Sequence, residues 1–447
     1  MLFSSTNQQS GGLKFNNPTF ESLRFAYVPR PGLWKIMMTN LCMSIITLSI
    51  WHFWGKTNVR RHIWSCIHIN NEPLEYTGTG GELFRGFMLV FLIFILPFLL
   101  FSGYIVLAYG PHHPTLHTLN LAFGLMGYLL GGYAIYKARN YQLTRTNWRG
   151  IYGNMAGSAG LYSLTYFGSI LAKWCSLGWA SPVMDVVMSE QLIGDMRFGD
   201  AAFKFKGRAG PLYPTYAMCW FMTIFVICAI GALWTYGVVH FSGTYFSEAF
   251  KQLADKSKNG QPGFDDMIVV GFLVLAVLGL LLIYVLLLPS LWALYTAKQL
   301  RLLASYTRFD GAQFMLGATT GNVILLALGN LAIIVLAILL GAAAFFGLAF
   351  VADWAKLENI SVVQSFSTWL GFKPDEISAT LGLVLALIIY QGIWAFTRPF
   401  ISQRNIAFVF NRLALEGAID LGRIRQSLAA RPKRGEGLAD AFDLGAW

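Results

Sequence analysis

Only 12% of the 447 residues are charged, so each group of ionisable side chains stands out. Lys56, Arg60 and Arg61 follow an apolar helix in the stretch TLSIWHFWGKTNVRRHIWSC. A similar stretch after Ser176 carries Asp185, Ser189 and Glu190 where those bases stand. Opposite charges at matching positions suit inter-segment ion pairs, with Lys56, Arg60 or Arg61 facing Asp185 or Glu190. At membrane depth the same groups would suit a polar path or a proton site, because ionisable side chains there are costly and functional. Placement at the interface, where long side chains reach water, favours the pairing.

His112, His113 and His117 form an HHxxxH cluster, with His113 and His117 at the spacing of one helix face. Pro111 and Pro114 argue against a helix there, and no nearby Asp, Glu or Cys completes a zinc set. His113 and His117 are thus weak metal candidates in a loop. TGTGGE (Thr77 to Glu82) has phosphate-loop glycines without the GK[ST] ending, so turn geometry explains it better. There is no GxSxG and no HExxH. The sequence points to no catalytic residue and no cofactor, and a non-enzymatic role is expected.

The elements that hold these groups are apolar. Hydrophobic residues make up 55% of the chain, with 35 Phe, 19 Tyr and 14 Trp, and the mean hydropathy is +0.53. That load fits a bilayer rather than a water-soluble core. The five cysteines (Cys42, Cys66, Cys175, Cys219, Cys228) are scattered, without CxxC, and read as small hydrophobes. The net charge of +11 comes from Lys and Arg flanking apolar runs, which fits membrane topology and not nucleic acid. No cleavable signal peptide is read in residues 1–30.

Strong spans are expected at Gly86–Tyr109, Leu119–Tyr136, Thr215–Phe241, Met267–Tyr295, Thr320–Val351 and Ile377–Phe396. Two weaker segments, 32–54 and 160–184, align with each other; the first carries a polar stripe of Asn40, Ser44 and Thr47, and the second contains Lys173 and several Gly and Ser. Between spans the same grammar recurs: a helix end, a polar continuation, then an aromatic-Gly turn, as in RFGDAAFKFKG (Arg197 to Gly207). There Phe203 and Phe205 share one strand face and Lys204 and Lys206 the other.

The TLSIWHFWGKTNVRRHIWSC…EYTGTGGELFRGF stretch and the R-F-x-G-x-x-F pieces resemble the YjgN family of bacterial inner-membrane proteins. The resemblance covers about residues 20–425. It implies an inner-membrane location and supplies no activity, substrate or catalytic residue.

The reading is a mainly α, polytopic helical membrane protein with internal repeats, about six full spans and two re-entrant or interfacial helices. Short cytoplasmic β-hairpins complete it, with both termini cytoplasmic. Its expected parts are a disordered tail (1–20), repeat units at 21–150 and 151–317, a shorter third unit at 318–425 and a tail at 426–447. Arg139, Arg145, Arg301 and Arg404 are expected to contact anionic headgroups. Two roles fit: transport or lipid and small-anion handling, or a scaffold or regulatory subunit binding another membrane protein through the hairpin layer.

Overall fold

The computed structural model describes residues 20–241, 288–354 and 374–426. The expected loop 242–266, most of the span Met267–Tyr295 and of 353–376, and nearly all of both tails lie outside them.

Among the described residues, four helices are long and apolar enough to cross a membrane: Gly80–Tyr109, Pro114–Arg145, Gly210–Ala229 and Thr320–Leu348. Their outer surfaces are apolar and exposed, as lipid-facing surfaces are in a polytopic protein. The first is built from α3 (Gly80–Val90), a π-helical turn (Phe91–Ile95) and α4 (Leu96–Tyr109). The second is α5 (Pro114–Arg145); the third begins α8 (Tyr213–Phe241). A helix α9 covers 288–306, the fourth span lies in α10 (Thr320–Trp354), and α11 (Pro374–Phe410) packs on α10 and contains the segment 377–396.

Two short apolar helices behave differently. α1 (Leu33–Ile46) has 14 residues and α6 (Ala159–Cys175) has 17. Each ends in a tight turn with left-handed backbone, at Leu48 and Ser49 and at Leu177 and Gly178. Each is then followed by a partner helix packed against it, α2 (His52–Ser65) and α7 (Ser181–Gly194). Both turns put large apolar side chains outside: Leu48 is 89% exposed and Leu177 81%.

The remaining chain pairs as antiparallel strands. β2 (Phe25–Tyr27), β3 (Ile67–Ile69) and β4 (Glu72–Pro73) form a three-stranded sheet. An eight-stranded sheet runs in the order β12, β11, β10, β9, β8, β7, β6, β5. Its strands are β5 (Glu75–Tyr76), β6 (Thr146–Trp148), β7 (Ile151–Met155), β8 (Met196–Phe198), β9 (Ala201–Phe205), β10 (Thr307–Phe309), β11 (Ala312–Leu316) and β12 (Leu413–Glu416). The two sheets join at both ends. β4 runs into β5 through Leu74, and Arg24, just before β2, bridges Ala414 of β12. The pairings therefore return to their start and make a closed ring. β1 (Phe20–Glu21) and β13 (Ile419–Asp420) pair with each other beside it.

Several connections are two-residue turns with positive φ at both positions, as the twist of a hairpin demands: Asn70-Asn71, Arg149-Gly150 and Asp310-Gly311. Alternation then sends aromatic side chains to the ring's interior. Phe203 and Phe309 are cross-strand partners stacked at 4.5 Å between centroids, and Phe314, Phe25, Phe198 and Trp148 continue the chain of contacts. Met37, Val59 and Ile63 from α1 and α2, with Phe396, Phe400 and Phe410 from α11, pack into the same core, and Ile419 and Ile424 belong to it as well. A closed sheet has no free edge for foreign strands to join.

Candidate functional site

Two polar clusters form where the short helical hairpins meet the long helices. In the first, Thr79 caps α3, its Oγ1 accepting from Glu82 N at 3.4 Å. This T-x-x-E spacing is a capping box, and the acid suits the positive end of the helix. A Cβ on Gly80 would lie 2.6 Å from Trp54 Cγ and 2.7 Å from its Cα, so this glycine is required by close approach. The Glu82 carboxylate accepts from Tyr141 OH at 2.8 Å, Arg145 Nε at 3.1 Å and Arg145 Nη2 at 2.9 Å. Beside it, Lys56 and Arg60 are buried, 3% and 0% exposed. Arg60 Nη1 donates to Tyr76 OH at 3.4 Å and Arg61 Nη2 to Gly78 O at 3.2 Å. Trp64 Nε1 reaches Thr146 Oγ1 at 2.8 Å. Arg60, Arg61 and Trp64 of α2 thus bind strand and loop positions of their own part of the chain.

The second cluster centres on Asp185 in α7. It accepts from Lys173 Nζ at 2.7 Å and from Gln299 Nε2 at 3.0 Å, so one carboxylate ties α6, α7 and α9 together. The expected pairing of Asp185 with Lys56, Arg60 or Arg61 is thereby corrected. α7 folds back on α6, whose Lys173 supplies the counter-charge. Glu190 is exposed on α7. A third carboxylate, Asp195, accepts from Tyr136 OH at 2.9 Å, and its main-chain oxygen accepts from Ala156 N. No charge pattern in the sequence pointed to it.

The four arginines expected at headgroups part company. Arg139 is exposed on α5. Arg145 pairs with Glu82 and packs on the Tyr141 ring at 5.5 Å. Arg301 is exposed, its Nε donating to Ala297 O within α9. Arg404 Nε reaches Asn330 Oδ1 at 3.1 Å across the α10–α11 pair, its guanidinium lying over Gly329.

His113 accepts from Thr115 N and caps α5, and its ring packs on Tyr109 at 4.9 Å. Pro114 therefore opens the helix, contrary to the expectation that it prevents one; at the first helical position its missing N–H costs nothing. His117 lies in the next turn. Among the described residues, no three His, Cys, Asp or Glu side chains come together as a metal set.

Two ring-side groups titrate abnormally. The Arg149 guanidinium, hydrogen-bonded at 2.6 Å, holds the Glu72 carboxyl below its ordinary range. Burial pushes the His62 imidazole below its usual 6.5.

Residues 30–441 match the family described as bacterial protein of unknown function (DUF898). The chain belongs to this family. Membership in DUF898 carries no activity with it. The chain is also similar to a protein named Inner membrane protein YjgN from Salmonella typhimurium (strain LT2). They are 32% identical over 119 residues, which is 26% of this chain and 27% of that relative's length. No solved structure matches.

Proposed function

We propose that this DUF898 chain is an inner-membrane protein of about six spans that handles lipids or small anions without catalysing a reaction. The YjgN relative is named for the inner membrane, and the four described spans together with the segments 267–295 and 377–396 account for the number. The observation that carries the reading is the pair of short helical hairpins. At about 1.5 Å per residue, α1 and α6 reach roughly 20–25 Å, short of a hydrocarbon core of about 30 Å. Their tips are apolar and exposed, while Lys56, Arg60 and Asp185 lie behind them. Read as related re-entrant elements that bring ionisable groups toward the bilayer, they suit a substrate path.

In this reading units 21–150, 151–317 and 318–425 are repeats, and the β-ring faces the cytoplasm with the basic loops, as positive residues prefer. Single cysteines test the arrangement. Lys204 and Asp310 on the ring are to react with a membrane-impermeant maleimide in inside-out vesicles only, and Leu48 and Leu177 from neither side. Labelling of Leu48 or Leu177 in right-side-out vesicles would refute it. The activity is tested in proteoliposomes, where anion flux or lipid redistribution is expected above that of empty liposomes.

The ring favours a second reading, a scaffold that binds another membrane protein. An aromatic-filled closed sheet is a rigid platform, and Lys204 and Glu416 project from it. A photo-crosslinker at either position that traps one inner-membrane partner, in a protein silent in proteoliposomes, would decide for it.

A further inference from the structure

Two clefts open where helices enter the ring. One, of about 450 Å³, lies between the start of α1 and the end of α2 and is lined by Lys35, Thr39, Asn58, Arg61, His62 and Ser65. The other, of about 630 Å³, lies beside the end of α9 and is lined by Lys298, Arg301 and Ser305, with Leu302, Met315 and Leu316 as an apolar wall. Neither lining contains an acid.

One wall of each cleft is equivalent, the end of the helix that leads into a strand. Arg61 and Arg301 stand the same number of residues ahead of the strands that follow, β3 and β10. The same holds for Ser65 and Ser305, and for Asn58 and Lys298. The chain thus builds the pattern twice: a long polar or basic side chain, an arginine one turn on, and a serine one turn further.

The donors are not used up. Among the described residues Lys35 has no ion-pair partner, and His62 Nε2 is buried without a hydrogen bond. Arg61 gives one N–H to Gly78 O, and Lys298 Nζ donates to Thr215 Oγ1 at 3.0 Å. A concave site with two cations, a hydroxyl and no carboxylate is complementary to a compact anion, and the planar fork of arginine matches phosphate oxygens. The apolar wall at Leu302, Met315 and Leu316 leaves room for something greasy attached to that anion.

We infer that these clefts are two phosphate-binding sites built on a repeated helix end, each taking one phosphate group from a lipid headgroup or a soluble ester. The inference rests on the lipid and anion reading above and gives it a ligand class and an address.

The test uses the full chain purified in mild detergent, with native mass spectrometry counting the phosphatidylglycerol molecules retained. Two retained lipids are expected, one after Lys35→Gln/Arg61→Gln, one after Lys298→Gln/Arg301→Gln, and none in the quadruple variant. Each pair is expected to weaken its site by about tenfold or more. The control Arg149→Gln, on the ring exterior, keeps both lipids and shows that loss of a surface arginine is not enough. Inorganic phosphate and glycerol 3-phosphate form the second arm. If they raise the melting temperature of the parent but not of the quadruple variant, while lipid is not retained, the sites stand and the source is soluble. Equal retention of the phosphate-free diacylglycerol, or retention and phosphate response unchanged in the quadruple variant, would overturn the inference. A failure here with flux still present removes the sites and leaves the transport reading; bound lipid without flux does the reverse.

Discussion

Arg145, the last residue of α5, holds Glu82, in the first turn of α3, through two hydrogen bonds of 3.1 and 2.9 Å. The side chains are 13% and 20% exposed, so the pair is only partly screened by water. It latches the ring-side ends of two consecutive spanning helices.

Removing one half of that latch strands the other. Glu82→Gln is expected to cost about 2 kcal/mol, since it weakens three charge-assisted hydrogen bonds, two of them from a cation. A double-mutant cycle of Glu82→Gln with Arg145→Gln, followed by denaturant unfolding in micelles, should show a coupling of about 1 kcal/mol or more. Additive losses would mean that the latch contributes nothing.

Two adjacent glycines should behave oppositely. Gly80→Ala drives a methyl into both the ring and the backbone of Trp54, at 2.6 and 2.7 Å, and backbone cannot step aside. A loss of about 1–3 kcal/mol is expected from such overpacking. Gly81 has nothing within 4 Å of the added atom, and Gly81→Ala should be close to neutral or slightly stabilising in its helix. Melting temperatures of the two purified variants check this.

The ring's aromatic filling makes a third prediction. Phe309 is 4% exposed and lies against both Phe203 and Phe198. Phe309→Ala should cost about 3–5 kcal/mol and lower accumulation in the membrane, whereas Phe309→Leu should cost about 1.5 kcal/mol or less. Equal yields for both would argue that the interior is not tightly packed.

His62 sets a pH dependence. Its folded-state pKa lies below the ordinary 6.5, because burial disfavours the charged ring. Above 6.5 the group is neutral folded or unfolded and contributes no slope. As pH falls through 6.5 the unfolded chain takes the proton first, so stability drops until the folded-state value is reached and then levels off. Thermal unfolding between pH 8 and 5 should show that drop, and His62→Gln should flatten it.

The membrane helices were legible because a run of apolar residues as long as a bilayer is thick has few other uses: Thr320–Leu348 declares itself. The charge partners were not legible. Asp185 looked complementary to Lys56, yet what decides the pairing is the helical turn at Leu177 and Gly178, which lays α7 on α6 and brings Lys173 within 2.7 Å. Pro114 misled for a related reason: a proline marks either the first residue of a helix or a break, and only the cap formed by His113 distinguishes them. The Glu82–Arg145 latch joins residues 63 positions apart, and no local pattern carries that distance.

The closed ring has a consequence for how the protein is made. Arg24 meets Ala414, and Tyr27 N–H donates to Asn411 Oδ1, 384 positions further along the chain. At a synthesis rate of about 5–20 residues per second, β2 waits on the order of a minute for the strand that completes its neighbourhood. During translation the nascent chain must therefore carry an open sheet margin and unfilled aromatic surface while its helices are already entering the bilayer. The last step of biogenesis is then a stitching of the two ends of the sheet, and a ribosome halted before codon 413 leaves a product with that margin still sticky.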